Sequence, residues 1–195
     1  MDWPVSLQIA LKEWAVVCRA LESGRQIVLL RKGGISDVGG VFHVQHREFL
    51  LFPTWLHQSK PMLKPEAHQG CEPLAAEPAE VTLGTAGVVT DVIQLQSRQQ
   101  IDAIDDEHVW APPLIDMRFA YRPENPLYLL LVRAYRMRQP VTLANTPAYA
   151  GCKSWVPLDE SIRVSEAKAV LDDGAYGIRR TRVLNRLDAC LNVKP

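Results

Sequence analysis

The stretch LYLLLVRAYR, residues 127–136, decides how the rest of this 195-residue chain is read. It holds the most apolar run present, Leu127 to Val132, followed by spaced arginines. That run is far short of the roughly 18 apolar residues a membrane helix needs, and no charge-free window of that size occurs elsewhere. Its leucine, valine and tyrosine content predicts a β-strand. On a strand, Arg133 faces away from Arg136 and Arg138, which share a side. Pro140 to Leu143 is expected to return beside it.

Upstream, Leu7, Ala10, Leu11 and Trp14 have helical spacing and predict a short first helix. Trp14 to Leu21 and Gln26 to Arg31 read as a hairpin around Gly24, which is free to take positive φ. Gly33, Gly34, Gly39 and Gly40 punctuate a loop. Strands are expected at 41–44 and 49–52, ended by Pro53. Residues 81–95 form one bent strand or two. Ser97 and Gln100 have capping-box spacing and predict a helix from about Arg98 to Trp110. Residues 111–126, with Pro112, Pro113 and Pro123, read as irregular. Downstream, Ser165 is expected to cap a helix from Glu166 to Leu171, stopped by Asp172-Asp173-Gly174. Ile178, Val183, Leu184, Leu187 and Leu191 mark a closing amphipathic helix. Strands and helices do not alternate regularly. The expected fold class is α+β, a mainly antiparallel sheet with a few packed helices, not doubly wound.

Composition fits a folded protein: 47% hydrophobic, 23% charged, net charge zero. Neutrality hides a division. Residues 1–65 hold 8 Lys/Arg against 5 Asp/Glu, a net of +3. Residues 66–116 hold 1 against 10, a net of −9, and residues 117–195 hold 13 against 7, a net of +6. Basic ends and an acidic centre can give a local positive field if folding keeps them apart. Pro61, Pro65, Pro73 and Pro78 make 59–80 linker-like. The chain thus divides into a β-rich part, 1–58, and an α+β part, 81–195, as one unit or two subdomains. The N-terminus lacks the basic start and apolar stretch of a signal peptide, and the four cysteines form no CxxC pair, so a cytoplasmic protein with free thiols is expected.

Three segments carry candidate site residues. Arg31-Lys32-Gly33-Gly34 pairs cations with glycines that let a ligand approach the backbone, and it reads equally as a strand end and tight turn. In FHVQHREFLLFPTWLHQ (42–58), His46, Thr54, Trp55, His57 and Gln58 offer hydrogen bonds and an aromatic wall. His43 and His46 fall on opposite faces of a strand, and no metal site is expected. Cys152 beside Lys153 offers a thiol next to a cation, with Ser154 and Lys153 as ligand contacts. The packed-loop reading of that segment also stands. Arg136 and Arg138, and the helical stripe Arg179, Arg182 and Arg186, are candidate phosphate contacts or a solvated face. Asp102, Asp105, Asp106 and Glu107 read as a solvated or partner-facing acidic surface.

Catalytic signatures are missing: there is no GxSxG, HExxH or phosphate-binding kinase loop. GRQIVLLRKGG (24–34) is similar to the opening strands of Nudix-type pyrophosphohydrolases, but their REXXEE metal helix is absent. No cofactor is implied. A broader likeness runs through ALKEWAVVCRAL (10–21), LLRKGGI (29–35), HREFLLFPTWLHQ (46–58), LKPE (63–66) and YAGCKSWVPL (149–158). Together they resemble the bacterial domain-of-unknown-function family numbered 1802, over about residues 7–160, with the last helix as a variable tail. The resemblance implies one family-wide unit and a setting beside restriction-endonuclease-type domains. The partners it implies are DNA or a restriction-type protein. The leading expectation is a non-catalytic nucleic-acid-binding or recognition module. The alternatives are an enzyme acting on a small phosphorylated or nucleotide-like substrate, and a protein-interaction subunit.

Overall fold

The computed structural model describes residues 3–32, 35–38, 41–71, 74–151 and 153–191, with the side chains of 35–38 and 41–43 left aside. In chain order the elements are β1 (Ser6–Trp14), α1 (Ala15–Glu22), β2 (Val28–Arg31), β3 (Ile35–Val38), β4 (Val41–Val44), β5 (Glu48–Thr54), β6 (Glu80–Leu95), α2 (Arg98–Asp102), α3 (Pro112–Ala120), β7 (Leu127–Ala144), β8 (Trp155–Arg163), β9 (Lys168–Ala169) and α4 (Asp173–Leu191). One sheet of seven strands runs β2-β7-β6-β5-β1-β8, with β9 beside β7, and β3-β4 is a separate hairpin. Only β1 and β5 pair in parallel among these; the other pairings are antiparallel. The protein is therefore a mixed α+β fold with a predominantly antiparallel sheet and several packed helices.

The strand at 127–136 is present and longer than its apolar run. β7 continues through Pro140, so 140–143 extends the strand and does not return beside it. A proline is tolerated there because the pairing with β6 is irregular between Leu83–Val141 and Thr85–Arg136. β6 is one strand, bent by that irregularity and by a second between Val89 and Asp91.

The first two elements exchange types relative to the sequence expectation. Residues 6–14 are a strand, and residues 15–22 are a helix. β1 lies between β5 and β8, which cover its edges, and its two faces turn to two different cores. Ala10 joins one core and Leu11 the other. With both faces buried the period of two disappears, and the remaining spacing imitates a helix. α1 keeps its valines because tertiary burial outweighs their strand preference: Ala15, Val16, Val17, Cys18, Ala20 and Leu21 are all buried. Gly24 does take positive φ, at +71°, but to close α1 and not a hairpin.

Further differences follow from local competition. The Gln100 side chain accepts from the Ser97 N–H (3.3 Å) and the Gln96 N–H (2.7 Å), yet α2 stops at Asp102 and gives way to a 3-10 turn at Asp105–Glu107. Residues 112–120 form α3, opened by two prolines at positions whose N–H groups need no partner. Residues 166–171 hold the short strand β9, not a helix. Asp172 begins α4, accepting from the Ala175 N–H at 2.7 Å, so Asp172-Asp173-Gly174 starts a helix. On α4, Tyr176, Val183 and Leu187 are buried, while Ile178 and Leu191 are exposed.

In the proline-rich stretch 59–80, the described residues before β6 are irregular and packed. They make 3-10 turns at Lys60–Met62 and Pro65–Ala67 and bury Leu63, Ala67 and Cys71. Two apolar cores result. Phe49 and Leu51 of β5 enter the core under the helices, and Leu50 and Phe52 enter the core beside β1, β6 and β8. Strands from 1–58 and from 81–195 are interleaved in one sheet.

Candidate functional site

Charge is redistributed by folding. The acidic centre of the sequence lies against the basic end. Glu107, 2% exposed in its side chain, pairs with Arg179 and, at 3.3 Å, with Arg182. Arg186 pairs with Asp106, and Arg180 with Asp91 at the Nε–H (2.6 Å). The stripe expected to meet phosphates, Arg179, Arg182 and Arg186, is thus met by carboxylates of this chain. Of the acidic residues expected to face solvent or a partner, Glu107 and Asp106 meet α4, while Asp102 pairs with Arg98 and Asp105 with Lys64. Arg133 pairs with Asp173, Arg138 with Glu166 at 2.6 Å, and the Arg136 guanidinium donates to the Glu22 carbonyl at 2.8 Å.

Positive charge collects elsewhere, around a two-part cleft. The first part, about 730 Å³, is lined by Lys32, His46, Arg118, Tyr121, Arg122, Lys153 and Trp155, among others. The second, about 810 Å³, is lined by Lys12, Arg31, Thr54, His57, Glu77, Arg118 and Lys153, among others. Arg118, Lys153 and Ser154 belong to both. The two linings together hold six Lys/Arg side chains and one carboxylate, Glu77. That carboxylate is turned to the backbone, accepting from the N–H groups of Trp55 (3.0 Å) and Leu56 (2.8 Å).

Four segments place the six cations: β1, the end of β2, α3 with its end, and the loop before β8. Arg31 ends β2, where β7 pairs with it, and its guanidinium donates to Glu13 Oε2 and the Lys12 carbonyl, each at 2.9 Å. Burial draws the Arg31 pKa down; Glu13 opposes this, and the Arg118 charge adds to it. Lys32 donates to the carbonyls of Arg118 (3.1 Å) and Phe119 (2.9 Å), a cation on the negative end of α3. Lys12 donates to the carbonyls of Tyr149 and Gly151, holding the loop that carries Lys153 and Ser154 against β1. That loop is braced by Tyr149, whose hydroxyl donates to Asp159 at 2.8 Å and whose pKa burial raises. Arg122, at φ +45°, lies over the Tyr121 ring at 5.3 Å. His46 meets the edge of Trp155 at 5.2 Å.

The three motif segments therefore converge in part. Arg31, Lys32, His46, Thr54, His57, Lys153 and Ser154 line the cleft. His46 and His57 line different parts of it. Trp55 lies instead on a separate groove with Cys18 and Arg19, and Gln58 is buried with its carbonyl accepting from the Val16 N–H. Gly33, Gly34 and Cys152 lie outside the described residues. Cys18 and Cys190 are free thiols, and burial raises the Cys18 pKa. Arg118, Tyr121 and Arg122 were not among the expected site residues. Their signal was legible as RFAYR (118–122), cations interleaved with aromatics inside the stretch read as irregular. Among the described residues, no group of three or more His, Cys, Asp or Glu is placed to hold a metal, and no helix is long and apolar enough to cross a membrane.

Fold and cleft define an α+β protein with a cationic, aromatic-edged groove. The chain belongs to the family described as a domain of unknown function, DUF1802, whose model matches residues 10–182. That match passes the expected end near residue 160 and takes in the first half of α4. No curated protein matches the chain. Among solved structures, a crystal structure of a mutant ZmASCH protein from Zymomonas mobilis is similar at 10% identity, covering 81% of this chain and 92% of that one, with a TM-score of 0.46. At that identity and score the likeness carries no functional information.

Proposed function

We propose that the protein is a nucleic-acid-binding module whose ligand lies in the cationic cleft. The observation that carries this reading is the gathering of six Lys/Arg side chains from separate segments onto one cleft in a chain of zero net charge. Tyr121, 52% exposed, stands beside them as a surface for a base to stack on. Phosphate-seeking cations with an exposed aromatic are the elements of single-strand recognition. The module recognises and does not cut. In the restriction-type setting implied by the family resemblance, cutting belongs to a partner protein.

Fluorescence anisotropy with a labelled single-stranded oligonucleotide tests this. Binding is expected to weaken steeply with salt. Arg122→Ala and Lys153→Ala are each expected to cost about tenfold in affinity and to reduce the salt slope by about 0.7. Absence of binding at low salt, or binding that neither variant alters, overturns the reading.

A further inference from the structure

The waist of the cleft carries a more particular assignment, which rests on the nucleic-acid reading. Ten arginines of the described chain form ion pairs with carboxylates. Arg118 forms none, although it is only half-exposed and lines both parts of the cleft. Its buried Nε–H has no acceptor among the described residues. The Nε–H of Arg31 on the same lining is also unmet. A buried donor left without a partner is costly, so such groups in native proteins point to something that completes them.

The charge count says what. Glu13 answers the charge of Arg31 at 2.9 Å. Arg118 and Lys153 remain at the waist with no ion pair among the described residues. Two positive charges match a phosphate monoester, which carries about −1.5 to −2 near neutral pH. A phosphodiester inside a strand carries only one. Arg118 also offers the planar fork that grips phosphate oxygens in pairs.

We propose that Arg118 and Lys153 form a subsite for a phosphate monoester, the terminal phosphate of a strand or of a free nucleotide. The test compares a fluorescent DNA oligonucleotide of about ten nucleotides with and without a terminal phosphate, and adds adenosine monophosphate as a competitor. The wild-type protein is expected to bind the phosphorylated strand about tenfold more tightly. Arg118→Gln is expected to erase the preference and keep the salt-dependent remainder. Equal affinity for the two strands overturns the subsite and leaves the nucleic-acid reading intact. Binding of adenosine monophosphate alone, lost in Arg118→Gln, keeps the subsite, assigns it to free nucleotides and overturns the nucleic-acid reading. No binding of any of them overturns both. If Arg118→Gln fails to fold, the exposed Lys153→Gln replaces it under the same criteria.

Discussion

His108 shows how one buried residue ties stability to pH. It is 3% exposed and packs its ring 5.0 Å from Trp110. Burial pushes its pKa from 6.5 down to about 4, and the Lys64 ammonium adds to the shift against the Asp105 carboxylate. Between those two values the unfolded chain takes up a proton that the folded chain refuses. Stability from this residue is therefore complete above about pH 6.5 and is lost as pH falls toward 4, a total of about 3 kcal/mol. Urea unfolding of the wild type and His108→Leu across this range should show a falling midpoint in the former and a flatter one in the latter. Equal slopes refute the assignment. The sequence reading placed His108 on a helix running to Trp110, whereas that helix stops at Asp102 and the chain is extended at His108. That the imidazole is buried and neutral was not legible in the sequence, because burial depends on what packs over it.

At the scale of elements, β6 works as the spine of the sheet, and Gly87 is its tightest point. It pairs with Phe49 of β5 and Ala134 of β7. A Cβ there would lie 2.9 Å from the Phe49 ring and 2.9 Å from Val132. Both neighbours are fully buried and have no room to move. Gly87→Ala is expected to lower stability by about 1–3 kcal/mol through overpacking, measured by chemical unfolding. A neutral effect would mean that β5 and β6 can separate without cost. The sequence left 81–95 open as one bent strand or two, and one of the two irregularities that bend it falls at Gly84. The types of β1 and α1 were not legible in the sequence. Ser6–Trp14 lacks alternation because both its faces are covered, and Ala15–Glu22 is held helical by burial on nearly every side.

Over the whole molecule, folding cancels the division of charge along the chain. The −9 centre and the +6 end meet through Glu107, Asp106 and Asp91 on one side and α4 on the other. Glu107→Ala leaves Arg179, 17% exposed in its side chain, without its buried carboxylate. The expected loss is about 3 kcal/mol, since removing one partner of a buried pair strands the other. Asp106→Ala, at a pair exposed on both sides, is expected to leave the unfolding midpoint close to wild type. If the two variants behave alike, α4 is held by its apolar face alone. With these charges paired, Arg118, Arg122 and Lys153 stand at the cleft without an ion pair among the described residues.

The sequence by itself determined the fold class, the family and the candidate site segments at 31–32 and 153–154. Those properties reside in local composition and short motifs, which a chain carries whether folded or not. Tertiary structure decided which cations are available to a ligand. An arginine's availability depends on whether a carboxylate reaches it, and Glu107 reaches Arg179 across 72 residues of chain. Coulomb attraction acts through space, so the pairing that silences α4 and leaves Arg118 open exists only once the strands and helices are packed.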